Sequence, residues 1–363
     1  MRVVHVVLPG AVDDPYAPSG GNTYDRRVCA GLAQAGWSVR EHAVPGAWPS
    51  PEPDALTALA GTLAALPDGA TVLLDGLVAC AAPEVVEPAA RRLHPVVLVH
   101  LPLGDEVGLA PGTAAVRQAR ERRTLGSAAA MVATSAWTAR RLIEQHGLPA
   151  GRIHVATPGV DAAPLAAGTA AGSQLLCVAA VTPLKGQHLL VQALASLGDT
   201  SWSCRFVGSL DRAPRYVHRV RQAANGLGLD GRVRWTGPRT GTRLAATYAT
   251  ADLVLLASRA EAYGMVLTEA LARGVPVLAT DVGGVREALG RAPDGSLPGL
   301  LVPPDDPAAL ADALHRWLTG PGLRRRLRDA ARARRATLSG WDDTVRALTE
   351  VLDAVRPVTG RPV

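Results

Sequence analysis

Short β-branched apolar runs alternate with longer Ala- and Leu-rich stretches of helical period along the whole chain. In the first half the runs predict strands at 2–8, 38–43, 71–75, 96–100, 129–134 and 152–155. Helical patterns fall between them at 21–35, 54–66, 83–93, 113–125 and 135–145. A βαβ series of this kind implies a parallel sheet covered by helices on both faces. Residues 158–173, rich in Pro, Gly, Ala and Ser, read as a linker. The series then restarts, with strands at 174–180, 203–207, 232–235, 253–257, 275–280 and 299–302. Its helices are predicted at 186–197, 214–227, 241–251, 265–273, 285–289 and 307–318. The pattern therefore predicts an α/β chain of two doubly wound domains, residues 1–165 and 174–340. Ligands of such sheets bind beyond the carboxyl ends of the strands. Two such domains facing each other would hold them in a cleft.

Composition narrows the function classes. With 363 residues, 48% of them hydrophobic, the chain can fill two ordinary cores. No segment has the ~18 uninterrupted apolar residues of a membrane helix. Met1 to Leu8 is too short and too β-branched for a signal peptide. Cys29, Cys80, Cys177 and Cys204 lie far apart, each in a run that reads as buried. Reduced core thiols and a cytoplasmic location follow. The net charge of +6 invites a nucleic-acid reading, but the arginines are scattered and Phe206 is the only phenylalanine. Nucleic acid is not expected as a partner. The dense arginine run at 324–335 reads as the solvated face of a late helix, with an anionic membrane surface as the sharper alternative. Lys185 is the only lysine among 38 basic residues, so a compact ammonium is wanted at that position.

Three segments carry candidate chemistry. In Glu261-Ala-Tyr-Gly-Met-Val-Leu-Thr-Glu269, Glu261 falls in the loop after a strand and Glu269 just over one turn into the next helix. The N–H groups of Gly264, Met265 and Val266 sit at that helix start, a natural place for an anion. A carboxylate on either side suits vicinal hydroxyls. In Thr-Pro-Leu-Lys185-Gly186, a turn delivers the lysine to a helix N-terminus, where the dipole disfavours it unless it meets an anion. The Gly283-Gly284 pair permits a tight turn or a close backbone approach. In the first half, Gly20 and Gly21 open a helix as a phosphate-facing loop, next to Asn22. This is not GxGxxG, and no acidic residue closes the second strand, which argues against a nicotinamide enzyme. His100 ends a strand on the ligand side. Asn22, Asp75 and Asp105 complete the candidate acceptor contacts.

Together these segments resemble a retaining glycosyltransferase of family 4, with the GT-B fold. The resemblance runs over nearly the whole chain and is most specific at Glu261-x7-Glu269. The stretch 153–161 resembles the family's domain linker, and the ending from Gly340-Trp341 resembles the segment (341–363) that crosses back onto the first domain. The resemblance implies a UDP- or GDP-sugar donor and an acceptor that is a small molecule or a lipid. It implies that Lys185 holds the donor diphosphate, Glu261 the sugar hydroxyls and Glu269 the ribose. Gly264, Met265 and Val266 would offer N–H groups, Gly20 and Gly21 would meet the diphosphate, and His100 would lie near the reacting sugar. No cofactor and no metal are expected, since Asp-x-Asp is absent. The family's arginine five residues before the lysine is Ala180 here, for which Arg239 or Arg259 are the candidate substitutes. That departure leaves a nucleotide-sugar binder without transferase activity, or a GT-B epimerase or phosphorylase, as alternatives. Lys185 as the sole lysine speaks against a pyridoxal phosphate enzyme.

Overall fold

The computed structural model describes residues 2–356. Its strands build two parallel sheets of six. The first contains β1 (Arg2–Pro9), β2 (Trp37–Val44), β3 (Thr71–Asp75), β4 (His94–Val99), β5 (Ala130–Ala133) and β6 (Ile153–Val155). Their spatial order is β2-β1-β3-β4-β5-β6. The second contains β7 (Gln174–Val178), β8 (Ser203–Val207), β9 (Val233–Trp235), β10 (Leu253–Leu256), β11 (Val277–Thr280) and β12 (Gly299–Val302). Their order is β12-β11-β10-β7-β8-β9. Every predicted strand is present, with ends shifted by no more than a few residues.

The topology fixes where ligands can bind. In the first sheet the chain steps outward from β1 to β2 and then returns to β3 on the other side of β1. In the second it runs outward from β7 to β9 and returns to β10 on the other side of β7. Helices leave such neighbouring strands toward opposite faces, so a crevice opens at their carboxyl ends. The loops that leave β7 and β10 carry Lys185 and Glu261. Gly20–Gly21 open the helix that follows the loop leaving β1, and Asp75 is the last residue of β3.

Each sheet is buried on both faces, as an all-parallel sheet requires. In the first unit, Val7, Val72, Leu74 and Val97 pack under one helical layer, while Val4, Val6, Leu73 and Val96 pack under the other. In the second unit, Leu175, Phe206 and Leu255 face one layer and Leu176, Val254 and Val277 the other. The helix Trp341–Val355 belongs to the first unit, where Leu348 and Leu352 are fully buried beside Tyr24 and Leu32. Gly31 permits this approach, because a Cβ there would collide with Val345. Residues 357–363 of the predicted crossover segment lie outside the described residues.

Two boundaries differ from the sequence reading. The first stretch of the first unit runs to Gly159, and Val160–Gly340 groups with the second unit, as does the short segment Asp14–Ser19. The predicted linker is no free tether. Ala166 N–H donates to Arg273 O and Ala167 N–H to Ala249 O, which strap it onto the second unit.

The arginine run differs as well. In the helix Pro321–Arg334 and the turn after it, Arg325, Arg326 and Arg332 are exposed as the solvated-face reading expects, while Arg324, Arg328, Arg334 and Arg335 turn inward to internal acceptors. Arg324 donates to Trp317 O and Leu318 O, Arg334 to Leu289 O, and Arg335 to Ala272 O and Ala163 O. Arg328 pairs with Asp252 at 2.8 Å. Asp252 also accepts from Thr169 N (2.5 Å), Thr169 Oγ1 (2.6 Å) and Gln174 N (2.9 Å), with no exposed side-chain surface. Removing it leaves a cation and three donors without their acceptor. Asp252→Ala is therefore expected to cost about 3–5 kcal/mol, read as a lowered denaturant midpoint with the slope unchanged.

Candidate functional site

The switch point of the second sheet is organised around one ion pair. Beyond β7, residues Pro183–Lys185 form a single 3-10 turn, and Gly186 follows at φ 62°. A Cβ on Gly186 would strike the Ala257 carbonyl, so only glycine lets this turn lie against the loop beyond β10. The two loops are stitched by Arg259 N–H donating to Leu184 O at 2.8 Å. Lys185 Nζ then reaches Glu261 Oε2 at 2.6 Å, and Ser258 Oγ donates to the same oxygen at 3.1 Å. Lysine and glutamate side chains are 24% and 14% accessible, so the pair is half-buried but reachable.

The Gly283–Gly284 pair supports this arrangement from below. Gly284 N–H donates to Glu261 O at 2.9 Å, and a Cβ on either glycine would collide with the carbonyl of Glu261 or Ala262. The close approach anticipated for these glycines is thus to the protein's own loop. Thr280 Oγ1 donates to Ser258 O at 2.5 Å and anchors the loop's other end.

Gly264, at φ 100°, turns the chain into the helix Met265–Leu271. The first-turn N–H groups of such a helix have no intrahelical acceptor. Glu269 lies on that helix and accepts from Tyr248 Oη at 2.8 Å. Tyr248 is fully buried, and the Arg273 guanidinium stacks 4.7 Å over its ring. Burial raises the Glu269 carboxyl above its ordinary value, against the opposing hydrogen bond from Tyr248 and charge of Arg273. Sequence reasoning missed Tyr248. Nothing in its helical pattern separates it from a core tyrosine.

The switch point of the first sheet gathers a second cluster. His100 follows β4 directly, one residue beyond the observed strand end. Its Nε2 lies 2.9 Å from Asp25 Oδ1 and 3.7 Å from Asp75 Oδ2. Asp75 ends β3 and accepts from Leu77 N at 2.5 Å. The ring packs on Gly21, where a Cβ would come within 3.2 Å of His100 Cδ2, and edge-on to Tyr24 at 5.3 Å. Burial first, and the Asp25 charge second, push the Asp75 carboxyl far above the ordinary carboxylate range. Burial works against the His100 cation. Asp25, by charge and hydrogen bond, and then Asp75 outweigh it and raise the imidazole to about 9. Donor atoms of Asp25, Asp75 and His100 all lie within 4.8 Å of one another, which is also a spacing that a cation tolerates.

Each half of the chain matches a family model. Residues 171–334 match Glycosyl transferases group 1, and residues 76–163 match Glycosyltransferase Family 4. The chain belongs to glycosyltransferase family 4. D-inositol 3-phosphate glycosyltransferase of Xylanimonas cellulosilytica is 34% identical over 73% of this chain and 66% of its own length. The protein of that name from Nocardia farcinica is 35% identical over 66% and 55% respectively. The chain thus spans roughly half to two thirds of these curated relatives. Among solved structures, sucrose-phosphate synthase from Thermosynechococcus elongatus superposes with a TM-score of 0.79 at 21% identity, covering 98% of this chain and 99% of its own. Anabaena HepE, solved in complex with UDP and glucose, gives 0.75 at 19% identity, with 98% and 100% covered. These likenesses establish the GT-B fold of two doubly wound units.

Several of the other candidate residues have partners within the protein. Asp105 is occupied: Arg141 grips its carboxylate with two bonds of 2.9 and 3.0 Å, and Gln145 adds a third at 2.7 Å. It anchors the loop after His100 and is not an open acceptor contact. Buried Glu121 helps it, by accepting from Leu103 N at 3.1 Å and binding His146 at 2.8 Å. Asn22 donates to Ala11 O at 3.4 Å, which ties the helix start to the preceding loop. Gly20 opens the helix Gly20–Gln34, one residue earlier than anticipated. At Ala180 the backbone carbonyl accepts from Gln187 Nε2 at 2.9 Å. Of the two arginines named as substitutes, Arg239 donates to Thr247 Oγ1 at 2.9 Å. Arg259 lies beside the lysine turn, where its charge lowers the His188 imidazole after burial has done so, and its Nε donates to Asp305 at 2.7 Å.

Proposed function

We propose that this chain is a retaining hexosyltransferase that moves a sugar from a nucleoside diphosphate sugar to a hydroxyl of a small acceptor. The observation that carries the reading is the Lys185–Glu261 pair at the second switch point, with Glu269 just over one turn into the helix that follows. Lys185 and the N–H groups of Gly264, Met265 and Val266 would meet the diphosphate. Glu261 would take the sugar hydroxyls, and Glu269 the ribose. As the bond from C1 to the diphosphate breaks, the acceptor oxygen bonds C1 from the same face and its proton passes to the leaving phosphate. The protein's share is positioning and stabilisation of the developing charge. A fixed ammonium and backbone dipoles supply that charge without a metal in this scheme.

UDP-type donors are favoured over GDP-type, because HepE was solved with UDP and with UDP-glucose. The names of the relatives favour a cyclitol or similar polyol acceptor. A lipid acceptor is less favoured, since three of the four arginines of the helix Pro111–Ser127 are paired: Arg117 with Glu106, Arg120 with Glu84 and Arg123 with Glu87. Among the described residues no helix is long and apolar enough to cross a membrane. A cytoplasmic location is part of this proposal.

Ala180 favours one second reading, a binder of nucleotide sugars that does not transfer. The two separate in a panel of UDP, GDP, ADP and TDP sugars. A true donor at 100 times its Kd stabilises the folded chain by about 2.7 kcal/mol, so the melting midpoint rises for one nucleotide class. Slow release of free sugar or product from that donor excludes the pure binder. No midpoint shift with any of them overturns both readings.

A further inference from the structure

We propose that Asp25 is a positioning residue for the transfer reaction, holding the His100 ring so that its Nδ1–H meets an oxygen of the bound substrate. Asp25 occupies the buried stripe of the helix Gly20–Gln34, in line with Val28, Cys29 and Leu32, and is 2% exposed. A carboxylate in such a place is costly unless it is paired. Its Oδ1 takes His100 Nε2, and its Oδ2 has no hydrogen-bond partner. Asp75 stands on the same ring nitrogen from the end of β3. A proton on Nε2 satisfies Asp25 Oδ1, and the raised Asp75 carboxyl stands beside the same pair.

With Nε2 turned inward, Nδ1 is the nitrogen left for a ligand. The described residues offer it no hydrogen-bond partner, and 23% of the side chain is accessible. Gly21 and Tyr24 fix the plane of the ring. The titratable groups facing the ring are Asp25 and Tyr24 from the first helix and Asp75 from β3. Both carboxyl groups favour the imidazolium, so Nδ1 carries a proton at neutral pH and donates. A donor whose orientation is paid for on folding needs no reorganisation when charge develops on the substrate.

The inference rests on the transferase reading, but its first readout does not. The His100 ring is titrated by NMR in the full chain, wild type and Asp25→Asn, and the pH profile of turnover is measured on both. In the wild type the ring stays protonated above neutral pH. In Asp25→Asn its titration is expected to fall by about one pH unit or more. The alkaline limb of kcat should fall with it, and kcat at neutral pH should drop roughly tenfold. Should Asp25→Asn fold poorly, Asp75→Asn is read in the same way and shifts the ring in the same direction. Turnover with an unmoved ring titration, or a moved titration that the alkaline limb ignores, overturns the proposal. Stoichiometric perturbation of the ring by Zn2+ or Mn2+, with activity that depends on the ion, makes the cluster a cation site and also overturns it. A moved titration with no turnover from any donor overturns the transferase reading, and this proposal falls with it.

Discussion

Lys185→Ala is expected to lower kcat by about 10²–10³-fold, the loss that follows removal of one charge-stabilising donor from an active site. The chain makes this substitution unusually informative. It has no other lysine, and Ala180 stands where the family has an arginine. In the proposed scheme one ammonium therefore carries a charge that the resemblance would share between two cations. The folded state should tolerate the change, because Glu261 keeps its bond from Ser258 Oγ and retains some solvent contact. The melting midpoint without ligand should thus stay close to wild type, while the midpoint shift given by the donor shrinks. Lys185→Arg should recover only part of the activity, since the planar guanidinium cannot reproduce a point charge in a one-turn loop wedged against Ala257. Steady-state kinetics with the donor found in the nucleotide panel give the answer. Wild-type kcat in Lys185→Ala would remove the lysine from the mechanism.

The legible parts of this molecule were those with a period or a fixed conformation behind them. Strands buried on both faces leave short continuous apolar runs, and helices leave a 3.6-residue stripe, so the order of elements could be read without a partner sequence. The glycines at 186, 264, 283 and 284 were legible as special positions, although their neighbours were not. Two of them turned out to support the Glu261 loop and not a ligand. What stayed hidden were polar residues whose meaning lies in a distant partner. Asp25 sits in the polar-looking stretch Asn22–Arg27, yet it falls three, four and seven residues before Val28, Cys29 and Leu32. A carboxylate on the apolar stripe of a helix was the signal available, and buried charge is informative where exposed charge is not. Asp105 gives the opposite case. Its position after a strand end suggested a ligand, but Arg141 and Gln145 come from a helix some forty residues on, and no local pattern announces them. The inward-turned Arg334 and Arg335 were invisible for the same reason, since their acceptors are carbonyls at the ends of distant helices.

Glu269→Gln is expected to separate stability from function with opposite signs. The reasoning starts from burial. Desolvation raises the Glu269 carboxyl above its ordinary value, so the charged form is disfavoured in the folded state. A carboxyl raised in this way adds stability as pH falls through its folded value and subtracts it above. At neutral pH the free protein therefore carries a small strain that a neutral amide relieves. The glutamine carbonyl can still accept from Tyr248 Oη, which keeps that fully buried hydroxyl satisfied. The melting midpoint of Glu269→Gln should accordingly equal or exceed that of the wild type near pH 7. Donor binding should go the other way. Two ribose hydroxyls donating to a carboxylate are worth about 1.5–3 kcal/mol each, and the amide offers one weaker acceptor in place of two charged ones. Donor affinity should drop by about 10²-fold or more, and in the wild type it should also weaken as pH falls through the raised Glu269 value. A residue held at a cost to stability, whose neutral replacement stabilises the chain and empties the site, is a residue kept for its ligand. If Glu269→Gln instead melts earlier and binds the donor as the wild type does, its carboxylate is a structural partner of Tyr248, and the ribose contact must be sought elsewhere at the second switch point.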